Sequence, residues 1–306
     1  MDMEISHETN HKQDQTNQDS SSVEQPHESL YLVLPYLPVF ELLAMAQVCK
    51  SFNDALNDDI LPWLNIIVDE KLRRSRLSNE ILVKIASRAM GRLRTLVLIN
   101  CNRITDDGLQ TVITMNPNIE KLHVPQCTSL TSEGMIQAVT MLNQHGTTLK
   151  SLKINGIYNI TKDHLQTLRN LLKSQQTQHK QFYPDTSRQY QTDNCPSIDV
   201  GICPKCDEVR MVFDYPLETC ERKRTIGSCR GCKFCILRCE ECGKCVDEDE
   251  NEAACEDSLC LDCWMKLPKC GFCNKPYCNT HVYKQCLLPG SSGFVCEACY
   301  STINEI

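Results

Sequence analysis

Closely spaced cysteine pairs carry most of the chemistry that this sequence offers. Nineteen of its 22 cysteines fall between Cys195 and Cys299, where seven pairs of ligand type each enclose two residues. The pairs are Cys203/Cys206, Cys229/Cys232, Cys239/Cys242, Cys260/Cys263, Cys270/Cys273, Cys278/His281 and Cys296/Cys299. A tight turn with this spacing aims two ligands at one tetrahedral ion. The pattern therefore predicts structural zinc, with each ion held by two such half-sites.

The count of possible ligands sets the number of ions. Cys235 and Cys245 join the seven pairs to give 16 ligands, enough for four ions, although three ions also satisfy the pattern. The favoured pairings are Cys239/Cys242 with Cys260/Cys263 and Cys270/Cys273 with Cys296/Cys299. The second pairing encloses Cys278/His281, which then needs a partner elsewhere. The spare cysteines, any of which could replace a chosen ligand, are Cys195, Cys220, Cys255 and Cys286.

The rest of the sequence favours zinc over disulfides or iron–sulfur clusters. No basic segment followed by an apolar core opens the chain, so it lacks the pattern of a secretory leader. No apolar run reaches the ~18–20 residues that a membrane span needs. We therefore expect an intracellular protein, in the nucleus or the cytoplasm, whose thiols stay reduced.

The predicted zinc sites are structural rather than catalytic. Fifteen of the 16 proposed ligands are cysteines and no His-Glu-x-x-His motif is present, whereas a hydrolytic zinc keeps one position open for water. The stretch from Cys195 to Cys299 carries 13 basic and 17 acidic residues. Nucleic acid needs a positive face, so this charge argues against nucleic-acid binding and favours a basic protein partner.

The remaining elements divide the chain into further parts. Residues 1–29 are polar and predict a disordered tail, and residues 174–194 predict a polar linker before the cysteine-rich domain, 195–306. Residues 30–90 have apolar side chains at helical intervals, with prolines that make a helix restart near Val39. A three-helix segment of this size buries little core and gains stability by docking on a partner.

Residues 91–173 contain about three repeats. Leu96, Leu122 and Leu152 are separated by 26 and 30 residues, and each opens a strand-like stretch followed by a turn and an apolar helical segment. This length is typical of leucine-rich repeats, and the alternative is an ordinary strand–helix pair recurring by chance. Cys101 and Cys127, at the turns, are predicted core residues rather than nucleophiles.

Residues 30–68 resemble an F-box. The resemblance rests on Leu37-Pro38 leading to Leu42-Leu43, on Val48-Cys49-Lys50 followed by an aromatic residue, and on Trp63. Followed by cysteine-containing repeats and a cysteine-rich region, the chain resembles a plant F-box protein of the Skp-interacting-partner type. The resemblance implies a non-catalytic substrate receptor that binds a Skp adaptor, and through it a cullin, in a ubiquitin ligase. The implied adaptor-binding residues are Leu37, Pro38, Leu42, Leu43, Val48, Cys49 and Trp63.

The predicted fold is therefore multi-domain: an α-helical F-box-like segment, a short α/β leucine-rich-repeat array and a small, irregular, zinc-stabilised domain. The leading function is recruitment of an unidentified protein target for ubiquitination. Two other functions stay open. One is a self-contained ligase with a RING-like cysteine module, which the ligand spacing fits poorly, and the other is a non-ligase interaction scaffold.

Overall fold

The computed structural model describes residues 26–68, 77–146, 149–172, 197–213, 229–246, 252–287 and 293–304. The predicted linker, 174–194, and all but the last residues of the predicted tail lie outside these ranges, as do Cys195 and Cys220. Within the described ranges, no helix combines the length and the apolar character that crossing a bilayer requires.

The described chain begins with three helices. They are α1 (Ser29–Val33), α2 (Val39–Val48) and α3 (Lys50–Asp58), with 3-10 turns at Leu34–Tyr36 and Leu61–Trp63. Pro38 lies at the N-cap of α2 with extended backbone, because proline has no N–H to donate and its fixed φ suits a helix start. The predicted restart near Val39 is confirmed.

A parallel sheet with one helix after each strand follows. Its elements are β1 (Asn65–Val68), α4 (Asn79–Ser87), β2 (Thr95–Leu98), α5 (Asp106–Met115), β3 (Lys121–His123), α6 (Ser132–Gln144), β4 (Ser151–Lys153) and α7 (Lys162–Leu171). The strands lie in sequence order, and Ile66, Leu96, Leu122 and Leu152 pair in register across the four of them. The leucines aligned in the sequence are therefore neighbours in the sheet.

β1 was not expected, since the sequence pattern predicts helix up to residue 90. Its sequence, Asn-Ile-Ile-Val, is rich in β-branched residues, which favour strands over helices. Ile66 and Val68 are fully buried. The sheet therefore starts one strand earlier than the sequence repeats indicate.

The starts of α4 and α5 are each tied to the start of the helix that follows. The Asn79 side chain accepts the Thr105 N–H at 3.1 Å and donates to the Thr105 hydroxyl at 2.8 Å. One repeat later, the Asp106 carboxylate accepts the Thr131 N–H at 3.0 Å and the Thr131 hydroxyl at 2.7 Å. Gly134 leaves room for this carboxylate, because a Cβ there would lie 2.1 Å from its atoms. These contacts satisfy backbone donors at helix starts and fix the spacing of successive repeats.

A single apolar core joins the N-terminal helices to the sheet. One cluster of buried side chains runs without interruption from Leu34 to Val200 and includes Leu42 of α2, Trp63 and Ile66 of β1. Cys101 and Cys127 belong to it, as predicted for core residues. The helical segment therefore obtains its core from the strand–helix units beside it.

The cysteine-rich part has short elements. They are β5 (Gly201–Ile202), β6 (Val209–Arg210), α8 (Leu261–Lys266), a 3-10 turn (Asn279–Lys284), β7 (Cys286–Leu287), β8 (Phe294–Val295) and α9 (Glu297–Asn304). Among its described residues are two small apolar clusters in which cysteines make up about half of the buried side chains. Cores of this size stabilise a fold only weakly without further cross-links.

Candidate functional site

Among the described residues of the cysteine-rich part, side chains that could bind a metal form four groups. Within each group, one potential ligand atom per residue lies within 4.8 Å of the others. We name them site 1 (Cys203, Cys206, Cys232, Cys235), site 2 (Cys239, Cys242, Cys260, Cys263), site 3 (Cys270, Cys273, Cys296, Cys299) and the mixed cluster (Cys255, Asp257, Cys278, His281).

The sulfur spacing in sites 1–3 fits a tetrahedral zinc ion. A Zn–S bond of ~2.3 Å places any two of four thiolates about 3.8 Å apart. The Sγ–Sγ distances are 3.8 Å for Cys206–Cys232, 3.6 Å for Cys242–Cys260 and 3.7 Å for Cys273–Cys296. None approaches the ~2.05 Å of a disulfide. The three groups could thus each hold one ion with four thiolates.

The first cysteine pair of each site lies in the same type of turn. The residue after the pair donates its N–H to the carbonyl of the first cysteine, at 2.9 Å from Asp207, 2.8 Å from Gly243 and 3.0 Å from Asn274. These three residues have φ of 60°, 71° and 57°, a left-handed conformation that glycine, asparagine and aspartate tolerate best. We call this arrangement the turn half-site.

The second pair of each site lies on a single helical turn. Cys235 donates its N–H to the Cys232 carbonyl at 3.1 Å. Cys260 is the N-cap of α8, which carries Cys263, and Cys296 immediately precedes α9, which carries Cys299. Two cysteines three residues apart on a helical turn face the same side. We call this arrangement the helix half-site.

Backbone N–H groups favour the thiolate form of the first cysteine in the turn half-sites of sites 1 and 3. The N–H groups of Cys232 and Cys296 donate to the Sγ atoms of Cys203 and Cys270, both at 3.3 Å. Burial raises the pKa of Cys203 and of Cys270, but backbone N–H groups outweigh it and lower both pKa values to about 6. Since the thiolate is the form that binds a metal, these lowered pKa values favour the binding of a cation.

The structure brings 14 of the 16 ligands predicted from the sequence into these groups. Among the described residues, Cys229 and Cys245 fall outside all four groups. Site 1 uses Cys232 with Cys235 instead of Cys229 with Cys232, because the later pair shares one helical turn. Sequence reasoning treated Cys255 as a spare and missed Asp257, although their Cys-x-Asp spacing was visible.

A second feature is an exposed apolar face on the N-terminal helices. Phe40, Ala44 and Val48 follow one another at four-residue intervals along α2, and all three are exposed. Leu32 and Tyr36, just before α2, are 74% and 82% exposed. Single exposed apolar residues are common, but a run of them within 17 residues is typical of a protein-binding surface.

The seven residues predicted to contact an adaptor differ in exposure. Leu42 and Trp63 are buried in the core, and the Trp63 indole donates to the Leu56 carbonyl at 2.8 Å. Val48 is exposed, while the partly buried members are Leu37, Pro38, Leu43 and Cys49. Leu42 and Trp63 thus support the helices from inside, and Leu32, Tyr36 and Phe40 are exposed residues that the sequence reasoning missed.

Two segments of the chain match known families. Residues 26–68 match the family described as F-box-like, and residues 199–272 match the At3g27290 F-box protein C-terminal domain. The first segment contains the exposed apolar face, and the second contains sites 1 and 2 completely.

Three similar proteins come from Arabidopsis thaliana. F-box protein SKIP28 is 39% identical over 90% of both chains. F-box protein SKIP14 is 34% identical, with coverage of 79% of this chain and 55% of its own length. F-box protein At3g27290 is 34% identical, with coverage of 78% and 65%. Among solved structures, the Rad7 and Elc1 complex in yeast matches at 19% identity, with a TM-score of 0.24 and coverage of 49% of this chain and 37% of the other.

Proposed function

The chain belongs to the plant F-box proteins of the SKP-interacting type, and from this premise we propose that it is the substrate-recognition subunit of a Skp–cullin–F-box ubiquitin ligase. The observation that carries the proposal is the F-box-like match over residues 26–68, which coincides with the exposed apolar face of α2. The subunit is non-catalytic: it binds the adaptor and recruits a protein target, and the transfer chemistry lies elsewhere in the complex.

The proposed adaptor surface combines predicted and newly found residues. Val48 lies on it together with Leu32, Tyr36 and Phe40, which are exposed and apolar. The partly buried residues Leu37, Pro38, Leu43 and Cys49 border it. Burial of such aromatic and aliphatic side chains supplies most of the binding free energy in interfaces of this kind.

The five predicted parts remain our proposal for the organisation of the chain, with the repeats as a short leucine-rich-repeat array. Leu96, Leu122 and Leu152 in register across parallel strands support this assignment. The repeats or the cysteine-rich part would hold the target. The overall charge of −7 suits a target with a basic surface.

Sites 1–3 would each hold one structural zinc ion. The sulfur spacing and the all-cysteine ligand sets support zinc over harder cations, which prefer oxygen ligands. Ligands of this kind close the coordination sphere and leave no position for water, so the ions would stabilise the fold rather than catalyse a reaction. Reduced thiols at these sites agree with an intracellular location, in the nucleus or the cytoplasm.

Co-purification with a Skp-type adaptor tests the proposal. The wild-type chain should retain the adaptor, and Phe40→Asp combined with Val48→Asp should weaken binding ~10-fold or more, because charges replace apolar contacts. Tyr158→Asp, at an exposed position in the repeats, is the matched control and should bind as the wild type does. A wild-type chain that does not bind any Skp-type adaptor contradicts the proposal and favours a scaffold.

A transfer assay addresses the self-contained ligase. The full chain is incubated with activating and conjugating enzymes, with and without the adaptor and cullin. A receptor subunit supports ubiquitin transfer only when the adaptor and cullin are present. Transfer by the chain alone would contradict the assignment.

A further inference from the structure

We propose that Cys255, Asp257, Cys278 and His281 form a fourth zinc site, with two thiolates, one imidazole and one carboxylate as its ligands. The inference rests on the proposed binding of zinc in the cysteine-rich part and adds a site of different chemistry. Asp257 and Cys255 are its new ligands, and they supply the partner that Cys278/His281 lacks in the sequence pattern.

The ligand atoms of the mixed cluster converge on one point. Asp257 Oδ2 lies 3.2 Å from Cys255 Sγ, 3.1 Å from Cys278 Sγ and 2.9 Å from His281 Nδ1. Cys278 Sγ and His281 Nδ1 are themselves 3.1 Å apart. Four atoms from four different residues therefore surround a space that one small cation could fill.

Hydrogen bonds alone do not account for this convergence well. A carboxylate oxygen has two lone pairs, and thiols are weak donors, yet three groups contact the same oxygen. Ligands ~2.0–2.3 Å from a tetrahedral ion lie about 3.3–3.8 Å from one another. The observed separations are a few tenths of an ångström shorter, so a zinc ion needs only a small outward movement of these side chains.

Like sites 1–3, the mixed cluster takes two ligands from a turn and two from a helical turn, although its turn has a different hydrogen bond. Ala253 and Asp257 close a turn in which the Ala253 N–H donates to the Asp257 carbonyl at 2.9 Å, and Glu256 has a φ of 66°. His281 donates its N–H to the Cys278 carbonyl at 2.9 Å, as in a helix half-site. The turn spaces its ligands as Cys-x-Asp, one residue closer than Cys-x-x-Cys. The aspartate side chain is one bond longer than cysteine, which compensates for the shorter spacing.

The fourth site lies between its neighbours in the chain. Its turn ligands fall between the two halves of site 2, and its helix ligands fall between the two halves of site 3. The Glu241 carboxylate, beside Cys242, accepts the backbone and side-chain N–H groups of Asn279, beside Cys278. An ion at this position would therefore connect sites 2 and 3 into one cross-linked unit.

The ligand set also predicts how this ion differs from the other three. Imidazole and carboxylate are harder ligands than thiolate, and the site carries two thiolates instead of four. A soft metal such as cadmium gains less from this set than from sites 1–3. Zinc should likewise bind less tightly to two thiolates than to four, so a chelator should remove the ion of the mixed cluster first.

Zinc content of the purified, reduced full chain tests the inference. We expect about four zinc ions per chain in the wild type and about three in Cys255→Ser and in Asp257→Ala. Cys286→Ser is the matched control, because Cys286 is half-buried and lies outside the four groups; it should keep all four. Three ions in the wild type, or four in both Cys255→Ser and Asp257→Ala, would overturn the proposal.

X-ray absorption at the zinc edge gives a second readout that needs no variant. Four ions in these sites average about 3.5 sulfur ligands and about 0.5 nitrogen or oxygen ligands each, whereas sites 1–3 alone give about four sulfurs. Pure sulfur coordination would overturn the fourth site and leave the other three intact. Because the proposed adaptor surface lies on the N-terminal helices, co-purification with the adaptor reports separately on the proposed function.

Discussion

Asp199 Oδ1 accepts the backbone N–H of Ile154 at 2.8 Å, across 45 residues of the chain. Its second oxygen accepts the N–H of Asn155 at 3.2 Å. Just before it, Ser197 accepts the Leu152 N–H at 2.7 Å and Ile198 forms a parallel bridge with Leu152. The chain that leads into site 1 therefore covers the open edge of β4, where unpaired backbone groups would otherwise be exposed.

This contact makes the stability of the fold depend on pH. Burial raises the pKa of Asp199 to about 6 from its usual 3.8, and it outweighs the backbone N–H groups of Ile154 and Asn155, which lower the pKa. A carboxyl whose pKa is raised by folding stabilises the fold most below its unfolded pKa and loses this contribution as the pH rises through its folded pKa. Relative to Asp199→Asn, the free energy of unfolding of the wild type should fall by roughly 1–3 kcal/mol between pH 4 and pH 7.

Urea denaturation of both proteins at several pH values measures this difference. Taking the difference removes the contributions of groups that the two proteins share, including the metal ligands. If the difference between the two free energies of unfolding stays constant or increases with pH, folding does not raise the pKa of Asp199.

The contact between Asp106 and Gly134 predicts a steric effect. A methyl group at Gly134 would overlap the Asp106 carboxylate, which the Thr131 N–H and hydroxyl hold in place. Gly134→Ala should lower the free energy of unfolding by about 1–3 kcal/mol, in the range of overpacked sites. Gly201→Ala is the control, since the nearest atom to its Cβ lies at 3.8 Å. If Asp106→Ala is introduced first, the cost of Gly134→Ala should decrease, because the two residues are coupled.

The composition of site 1 gives a prediction about metal content. Cys235 is a member of the site, whereas Cys229 lies outside it. Cys235→Ser should therefore remove about one zinc ion per chain, and Cys229→Ser should retain the full number. Plasma mass spectrometry of the dialysed proteins measures both. If Cys229→Ser loses zinc and Cys235→Ser keeps it, then Cys229 and not Cys235 is the ligand that acts with Cys232 in site 1.

The two faces of α2 should respond differently to truncation. Leu42 is fully buried, so Leu42→Ala should cost about 2–5 kcal/mol of stability through lost contacts and a cavity. Val48 is 67% exposed, and Val48→Ala should change stability by no more than about 0.5 kcal/mol. Thermal denaturation compares them. Equal losses of stability in the two variants would mean that α2 does not bury Leu42 and expose Val48.

Local patterns in the sequence were sufficient to find the recurring strand–helix units and most members of the four groups of candidate ligands. Leu96, Leu122 and Leu152 become register partners because a repeated strand places equivalent residues side by side. The two-residue spacing of the cysteine pairs favours their turns, and the predicted combination of Cys239/Cys242 with Cys260/Cys263 agrees with the proximity of these four side chains in site 2.

Long-range relationships were beyond the same reasoning. Asp199 covers a strand 45 residues away, and no periodicity links the two segments. Asp257 becomes a candidate ligand only because the chain brings Cys278 and His281 to it. Likewise, amphipathic spacing in residues 30–68 identifies an apolar face but not its direction, so Leu42 and Val48 looked equivalent until the core was known.

The continuous core from Leu34 to Val200 has a mechanical consequence. Because α2 packs directly on β1 and β1 pairs with β2, the proposed adaptor surface and the described strand–helix units share one core, and close-packed interiors transmit displacement with little compression. In the proposed receptor, a target bound to the repeats would therefore be held at a distance and angle from the adaptor that this packing sets. For the same reason, a fragment that ends at residue 68 would lose β2, which pairs with Ile66, and the isolated F-box-like segment should be much less stable than the same segment in the full chain.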